Sequence, residues 1–156
     1  MTRLGRLLLI AAVLPGAGPM HAQTASTQRQ EVQNFVKAYA DAANRGDITE
    51  YMEMYSRRPD LIEVSDGELT RGWDALRDEA NRMIGLEGSY KMSVGSIDVI
   101  SLGPTRAMAV FPFTTTVATQ QGPAQLRGAM TLVLENSPQG WKIIHDHTST
   151  APAKEQ

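Results

Sequence analysis

Long alternating runs fill the second half of the chain and constrain its fold more than any other feature. From Tyr90 onward, four runs of β-branched or alternating residues cover 90–102, 106–118, 125–135 and 141–149. Short segments containing Gly and Pro separate them. Long consecutive strands with short connections predict an antiparallel meander.

Helical periodicity dominates the region before these runs. Thr27 and Gln30 have capping-box spacing, and the apolar residues that follow recur on one helical face: Val32, Phe35, Val36, Tyr39, Ala40 and Ala43. Gly46 predicts the left-handed end of this helix, and Asp47 predicts the N-cap of a second one. A third helix is predicted after Gly72 from the spacing of Trp73, Leu76, Ala80 and Met83.

A short hairpin is predicted between the second and third helices. Residues 61–64 and 68–71 form its strands, and Asp66-Gly67 supplies the turn. Helices followed by a separate antiparallel sheet indicate an α+β fold, with the helices laid on one sheet face.

The N-terminus has the pattern of a signal peptide. Arg3 and Arg6 precede an apolar run over 7–14, which is too short to span a bilayer. Cleavage is predicted after Ala22, with Ala25 as the alternative. The sequence therefore predicts a signal peptide over 1–22, one domain over 28–150, a mobile tail over 151–156, and a periplasmic or secreted protein.

Charge and cysteine content exclude several classes of partner and site. Removal of Arg3 and Arg6 leaves 13 of the 15 Lys and Arg against 17 Asp and Glu, so the net charge falls from −2 to about −4. This balance argues against a nucleic-acid or anionic-membrane partner. Because the sequence has no Cys, it excludes lipoprotein anchoring and thiolate metal sites. Phosphate-loop and dinucleotide-binding patterns are also absent, so neither a cofactor nor a metal is predicted.

Three local motifs resemble one known family. Residues 39–47 (YADAANRGD), residues 66–76 (DGELTRGWDAL) and residues 140–149 (GWKIIHDHTS) resemble segments of SnoaL-like proteins in the nuclear transport factor 2-like superfamily. The last segment is also similar to the closing strand of the calcium/calmodulin-dependent kinase II association domain. The resemblance covers roughly residues 28–150.

This resemblance implies a cone-shaped half-barrel, of the cystatin-like kind, in which a curved sheet wraps the first helix. The cavity of the cone is open at one end, and the convex face commonly forms a homodimer. Isomerases, dehydratases, cyclases, epoxide hydrolases and binding modules share this cone, so the site residues must decide the function.

The closing strand carries the main candidates. Strand alternation groups His145 and His147 with Trp141, Ile143 and Ser149, and groups Asp146 with Lys142, Ile144 and Thr148. Resemblance matches Thr148 to ligand-contacting positions, which implies that Asp146 faces the cavity as a general acid or base. A carboxylate satisfied by a neighbouring strand or by Arg127 is the alternative. His145 and His147 are either ligand-binding or structural residues of a dimer face.

Tyr39 matches, by resemblance, the catalytic tyrosine of ketosteroid isomerases. The aspartate of those enzymes falls at Val64, which cannot accept a proton, while Glu63 is predicted to face outward. Tyr39 as plain core is the alternative.

The remaining candidate ligand contacts are Thr114, Leu132, Val64 and Trp73. Trp73 is placed at the cone mouth, with core packing as its alternative. The predicted wall is mostly apolar, and it comprises Val36, Tyr39, Val64, Val110, Met130 and Leu132.

Three functions remain open at this point. The first is the binding of a small apolar, polyketide-like or steroid-like ligand. The second is a cofactor-free lyase or isomerase that uses Asp146 and Tyr39. The third is a dimeric interaction module.

Overall fold

The computed structural model describes residues 19–84, 90–119 and 122–152. Its helices are α1 (Pro19–Arg45), α2 (Ile48–Glu53) and α3 (Trp73–Ile84). Its strands are β1 (Ile62–Ser65), β2 (Glu68–Arg71), β3 (Tyr90–Val94), β4 (Asp98–Ser101), β5 (Arg106–Thr119), β6 (Gly122–Ser137) and β7 (Gly140–Pro152). Residues 1–18 of the predicted signal peptide and residues 153–156 of the predicted tail lie outside the described residues.

All seven strands join one sheet in the order β2-β1-β7-β6-β5-β3, and β4 also pairs with β5. The strands from β3 to β7 pair antiparallel, which confirms the predicted meander and the α+β class. Strand β1 adds to the edge of β7 in parallel, a pairing that the sequence did not indicate. The sheet curves around α1 without closing, as the cone-shaped half-barrel requires.

The run predicted as one strand over 90–102 is two strands, because the chain passes very close to β5 at Gly95. The Gly95 amide donates to the Pro112 carbonyl at 2.9 Å, and a Cβ at Gly95 would lie 2.9 Å from Pro112 Cγ. The pairing with β5 shifts by one residue between β3 and β4. The side chains that face the core accordingly change from even positions, Tyr90 and Met92, to odd positions, Ile97 and Val99.

Helix α1 begins earlier than its predicted capping box. The helix starts at Pro19 and passes through Thr27, because Pro is tolerated in a first helical turn and neither Gly nor Pro follows until Gly46. Its predicted apolar face is buried against the sheet, and Gly46 adopts the predicted left-handed conformation with φ 68°. Asp47 caps α2 as predicted by accepting from the Glu50 amide at 2.9 Å.

The predicted hairpin turn is confirmed and is also fastened to the closing strand. Asp66 and Gly67 both have positive φ, 48° and 93°, as the tight hairpin turn requires. The Asp66 carboxylate accepts from the backbone amide and the hydroxyl of Thr150, each at 2.6 Å. These bonds join the β1–β2 hairpin to β7.

A bulge in β7 changes which residues of the closing strand face inward. Val133 pairs with His145 and Leu134 pairs with Ile143, so the register skips Ile144. As a result Ile143 and Asp146 are both buried, although simple alternation places them on opposite faces. The predicted grouping of Ile143 with His145 is therefore wrong. The bulge directs Asp146 toward the interior.

No helix in the described part of the chain is long and apolar enough to cross a membrane. The core lies between α1, the other helices and the inner sheet face, and its largest fully buried side chains include Tyr39, Met52, Phe111, Leu132 and Ile143.

Candidate functional site

A cavity of about 160 Å³ opens between the inner face of the sheet and the helices. Much of its wall is apolar, and this part includes Leu76, Ala80, Met83, Ile84, Met92, Phe113, Val117, Leu126 and Met130. Its polar part includes Tyr39, Tyr51, Tyr55, Tyr90, Glu63, Glu79, Asp146, Thr115 and Thr148. An apolar pocket with a few convergent polar groups is the usual form of a small-molecule site.

Three tyrosine hydroxyls meet on this wall. Tyr39 Oη lies 2.7 Å from Tyr51 Oη and 3.2 Å from Tyr55 Oη, and the last two hydroxyls are 3.3 Å apart. All three side chains are buried. Burial is the main reason why the pKa of each phenol is raised, so the three remain neutral hydrogen-bond donors near neutral pH.

Asp146 ends this hydrogen-bond network. Tyr55 Oη donates to Asp146 Oδ2 at 2.5 Å, whereas Asp146 Oδ1 is buried and has no hydrogen-bond partner among the described residues. The residue is only 2% exposed. Burial raises the pKa of Asp146 to about 7, the Tyr55 hydrogen bond opposes this rise, and the nearby charges of Glu63 and Glu79 add to it. A carboxyl with such a pKa can either accept or donate a proton near neutral pH.

The backbone places Tyr55 next to Asp146. The Ile143 amide donates to the Met54 carbonyl at 2.8 Å, and the Ser56 amide donates to the Ile143 carbonyl at 2.9 Å. In this parallel bridge Tyr55 pairs with Ile143, which lies three residues before Asp146 on β7. The bulge at Ile144 then turns Asp146 toward the Tyr55 hydroxyl.

Glu63 also lies on the cavity wall, so the prediction that it faces outward is wrong. Glu63 on β1 pairs in register with Asp146 on β7, and neighbouring residues in register share one face of the sheet. Burial raises the pKa of Glu63 to about 7, and the charge of Glu79 adds to the rise. The prediction failed because it assumed that the apolar residues of β1 face inward; Ile62 and Val64 instead face the outer side.

Three of the predicted site residues line the cavity, namely Asp146, Tyr39 and Thr148. Val64 lies on the outer side of β1. Leu132 pairs with Asp146 across β6 and β7 but is fully buried in the core. Thr114 is exposed on the outer sheet face, and its neighbour Thr115 lines the cavity instead. Inward and outward residues alternate on β5, so only one of two adjacent threonines can face the cavity.

Neither histidine lines the cavity. His145 Nδ1 lies 2.8 Å from the Ile62 carbonyl, and His147 is exposed. The described residues contain no cluster of three or more His, Cys, Asp or Glu arranged to hold a metal ion. The contact of His145 with the Ile62 carbonyl joins β7 to β1 and is structural.

Trp73 is a packing residue. Its indole Nε1 donates to the Met52 carbonyl at 3.0 Å, and the Arg57 guanidinium stacks 4.0 Å from the ring centroid. Trp73 is not among the described residues that line the cavity. This position agrees with the core-packing alternative for the residue.

Sequence reasoning missed Tyr51, Tyr55, Glu63 and Glu79 as candidate site residues. Tyr51 and Tyr55 are four residues apart, a spacing that places two side chains on one helical face. This spacing was the available signal. Glu79 projects from α3 and accepts from the Thr70 hydroxyl at 2.7 Å, a contact that no local pattern indicates.

Several solved structures have the same fold, and the functions given for these proteins differ. A nuclear transport factor 2-like protein of unknown function from Shewanella oneidensis is 25% identical, with a TM-score of 0.62 over 78% of this chain and 98% of that one. A candidate dehydratase of the same superfamily from Streptomyces avermitilis is 16% identical, with a TM-score of 0.73 over 83% and 99%. The association domain of the C. elegans calcium/calmodulin-dependent kinase II is 16% identical, with a TM-score of 0.66 over 80% and 96%.

At these identities, the latter two similarities show the fold alone. Comparison with curated protein sequences gave no significant match. Residues 32–154 match the sequence model of the SnoaL-like domain. The chain therefore belongs to the SnoaL-like domain family, within the nuclear transport factor 2-like fold.

Proposed function

We propose that this protein binds a small, mainly apolar molecule in the cavity and transfers a proton on it without a cofactor, as a lyase or an isomerase. The observation that carries the proposal is Asp146: it is almost fully buried, one oxygen accepts from Tyr55, and the other has no hydrogen-bond partner among the described residues. A buried carboxyl of raised pKa on a pocket wall is a candidate acid or base.

In the proposed step, Asp146 removes a proton from a carbon next to a carbonyl group. The electron pair of the broken C–H bond moves toward the carbonyl oxygen, where a neutral tyrosine hydroxyl donates a hydrogen bond. In an isomerisation, Asp146 then returns the proton to a different carbon of the ligand. In a dehydration, the electron pair forms a C=C bond as the C–O bond to a neighbouring hydroxyl breaks, and Asp146 donates its proton to that leaving hydroxyl. The dehydratase description of the Streptomyces avermitilis structure is consistent with the second outcome.

The cavity volume limits the size of the ligand. About 160 Å³ is below the roughly 300–1,000 Å³ of pockets for drug-sized ligands. A closed apolar cavity of about 150 Å³ accommodates benzene. The proposal therefore favours ligands with a single ring over steroid-sized ones.

Hydrogen–deuterium exchange tests the proposal without knowledge of the natural substrate. Phenylacetone is incubated with the protein in D₂O, and loss of its α-proton signals is followed by NMR. Wild type should accelerate the exchange, and Asp146→Asn should reduce it to the rate without protein while remaining folded. Exchange at the same rate with both proteins would exclude Asp146 as the base.

A pair of substitutions on α3 tests whether binding occurs in this cavity. Ala80→Leu fills the cavity wall, and Ala75→Leu makes the same change on the exposed side of the helix. Binding of benzyl alcohol, followed by ligand-observed NMR, should be lost in the first variant and kept in the second. Equal binding by both variants would place the ligand elsewhere.

We also propose a homodimer formed through the outer sheet face. A broad groove there is lined by small residues, including Gly95, Gly128, Ala129, Ser149 and Ala151. Small side chains allow two sheets to approach closely, and the association domain from C. elegans has the same fold. Light scattering after size exclusion should give twice the chain mass. Ala129→Arg should give a monomer, and a monomeric wild type would contradict the proposal.

Export is proposed from the N-terminal sequence. Intact mass of protein recovered from a periplasmic fraction or medium should show an N-terminus at Gln23, or at Ser26 for the alternative cut. Leu9→Arg interrupts the apolar run and should leave the precursor uncut. An uncut wild-type chain would contradict export by this route.

A further inference from the structure

Every charged residue among the described lining residues of the cavity is acidic. These residues are Glu63, Asp66, Glu79 and Asp146. Glu63 and Glu79 lie close enough to Asp146 for their charges to raise its pKa. Carboxylates that lie close together without a counter-charge repel one another, and at the buried Asp146 this arrangement disfavours an anionic ligand.

Two carboxylates on the wall already have hydrogen-bond donors. Asp66 accepts from Thr150, and Glu79 Oε2 accepts from the Thr70 hydroxyl. Two carboxylate oxygens do not: Asp146 Oδ1 and Glu63 Oε2 are buried and lack a donor among the residues that the structure describes. Because Asp146 is 2% exposed, bulk solvent does not compensate for the missing donor. A donor carried by a ligand in the cavity would satisfy these acceptors.

The rest of the wall suits a cation with an apolar body. Tyr39, Tyr51, Tyr55 and Tyr90 contribute aromatic rings, whose faces attract positive charge. The volume of about 160 Å³ limits the apolar body to about one ring.

We propose that the cavity selects a small protonated amine with a single-ring or short apolar body, and that its ammonium group donates hydrogen bonds to Asp146 and Glu63. This inference rests on the proposed function and names the substrate class of the same site. Charge-assisted hydrogen bonds of this kind are roughly twice as strong as neutral ones. The bound cation also keeps Asp146 ionised, which is the form that accepts a proton from carbon.

Three probes of matched size test the charge preference: benzylamine, benzyl alcohol and benzoate. Their affinities for wild-type protein are measured by calorimetry at pH 7, where benzylamine is protonated. Benzylamine should bind at least about tenfold more tightly than benzyl alcohol, and benzoate should give no detectable binding. Because the pKa values of Glu63 and Asp146 are both near 7, amine binding should release protons, which appears as a heat that depends on the buffer.

A matched pair of variants tests the contribution of Glu63. Glu63→Gln should lower the affinity for benzylamine to that for benzyl alcohol and leave binding of the alcohol unchanged. Glu68→Gln, at an exposed position on β2, should change neither affinity. An amine preference that survives both Glu63→Gln and Asp146→Asn would overturn the assignment.

The wild-type comparison separates the two proposals. If benzyl alcohol or benzoate binds as tightly as benzylamine, the charge preference is wrong and ligand binding in the cavity stands. If none of the three probes binds, the proposed function and this inference are both wrong.

Discussion

Glu63 and Asp146 lie side by side in register on the parallel strands β1 and β7, and both carboxyl groups line the cavity. The sheet thus brings together two acidic residues that are far apart in sequence. Burial is the main cause that raises the pKa of each to about 7, and the charge of Glu63 adds to the rise at Asp146. The fold maintains this arrangement at a cost to stability, which is typical of functional sites.

Stability should fall as the pH rises, because Asp146 binds its proton more tightly in the folded chain. Its stabilising contribution is complete below the ordinary value of 3.8 and is lost as the pH rises through about 7. Asp146→Asn removes the titratable carboxyl, so the variant does not lose this stability as the pH rises. Urea unfolding should therefore show the variant gaining roughly 2 to 4 kcal/mol relative to wild type between about pH 4 and pH 8.

Asp98→Asn, at an exposed position on β4, is the control and should show a nearly constant difference from wild type. If the difference between Asp146→Asn and wild type were independent of pH, Asp146 would have an ordinary pKa in the fold.

Removing the Tyr55 hydroxyl should raise the pKa of Asp146 further. Tyr55 donates to the carboxylate at 2.5 Å and so stabilises its charged form. Tyr55→Phe leaves the ring and deletes the donor. Tyr51→Phe is the matched control, since the Tyr51 hydroxyl contacts the other two tyrosines and not Asp146.

Carboxyl-carbon NMR titration of each variant measures this effect. A larger upward shift in Tyr51→Phe than in Tyr55→Phe would contradict the described hydrogen bond.

Gly128→Ala should destabilise the sheet strongly. A Cβ at this position would lie 2.4 Å from the Ser149 carbonyl oxygen and 2.7 Å from the Phe113 ring. Overpacking of this kind costs about 1–3 kcal/mol or more. In Gly140→Ala the new Cβ has no atom within 4 Å, so only the strain of φ 90° remains, about 1 kcal/mol.

Chemical denaturation measures the stability lost by each glycine variant, and the loss should be larger for Gly128→Ala. Equal losses would mean that Phe113 does not lie across Gly128.

Adjacent substitutions on β7 should separate the two faces of the closing strand. Thr148→Val changes the cavity wall and should weaken binding of benzyl alcohol, whereas His147→Ala changes an exposed side chain. The histidine variant should stay within about 0.5 kcal/mol of wild type in stability. Weaker binding in His147→Ala alone would reverse the assignment of the faces.

Local patterns were sufficient for much of the fold. The glycine stop at Gly46, the cap at Asp47 and the turn at Asp66-Gly67 depend on neighbouring residues only, and the structure has each as predicted. The break at Gly95 depends on its approach to Pro112 on another strand, which the residues next to Gly95 do not indicate.

The site was less predictable, because its residues depend on pairing between distant segments. Alternation placed Asp146 and Thr148 on one face, but it could not anticipate the skipped residue Ile144. The orientation of Glu63 follows from its register with Asp146 rather than from its apolar neighbours.

The most direct test of the account is the pKa of the Asp146 carboxyl, measured by NMR titration of its carboxyl carbon in the wild-type protein. We predict a value near 7 that falls when Glu63→Gln removes the neighbouring charge. A value near 4 that Glu63→Gln leaves unchanged would contradict a buried, protonatable carboxyl at the cavity wall.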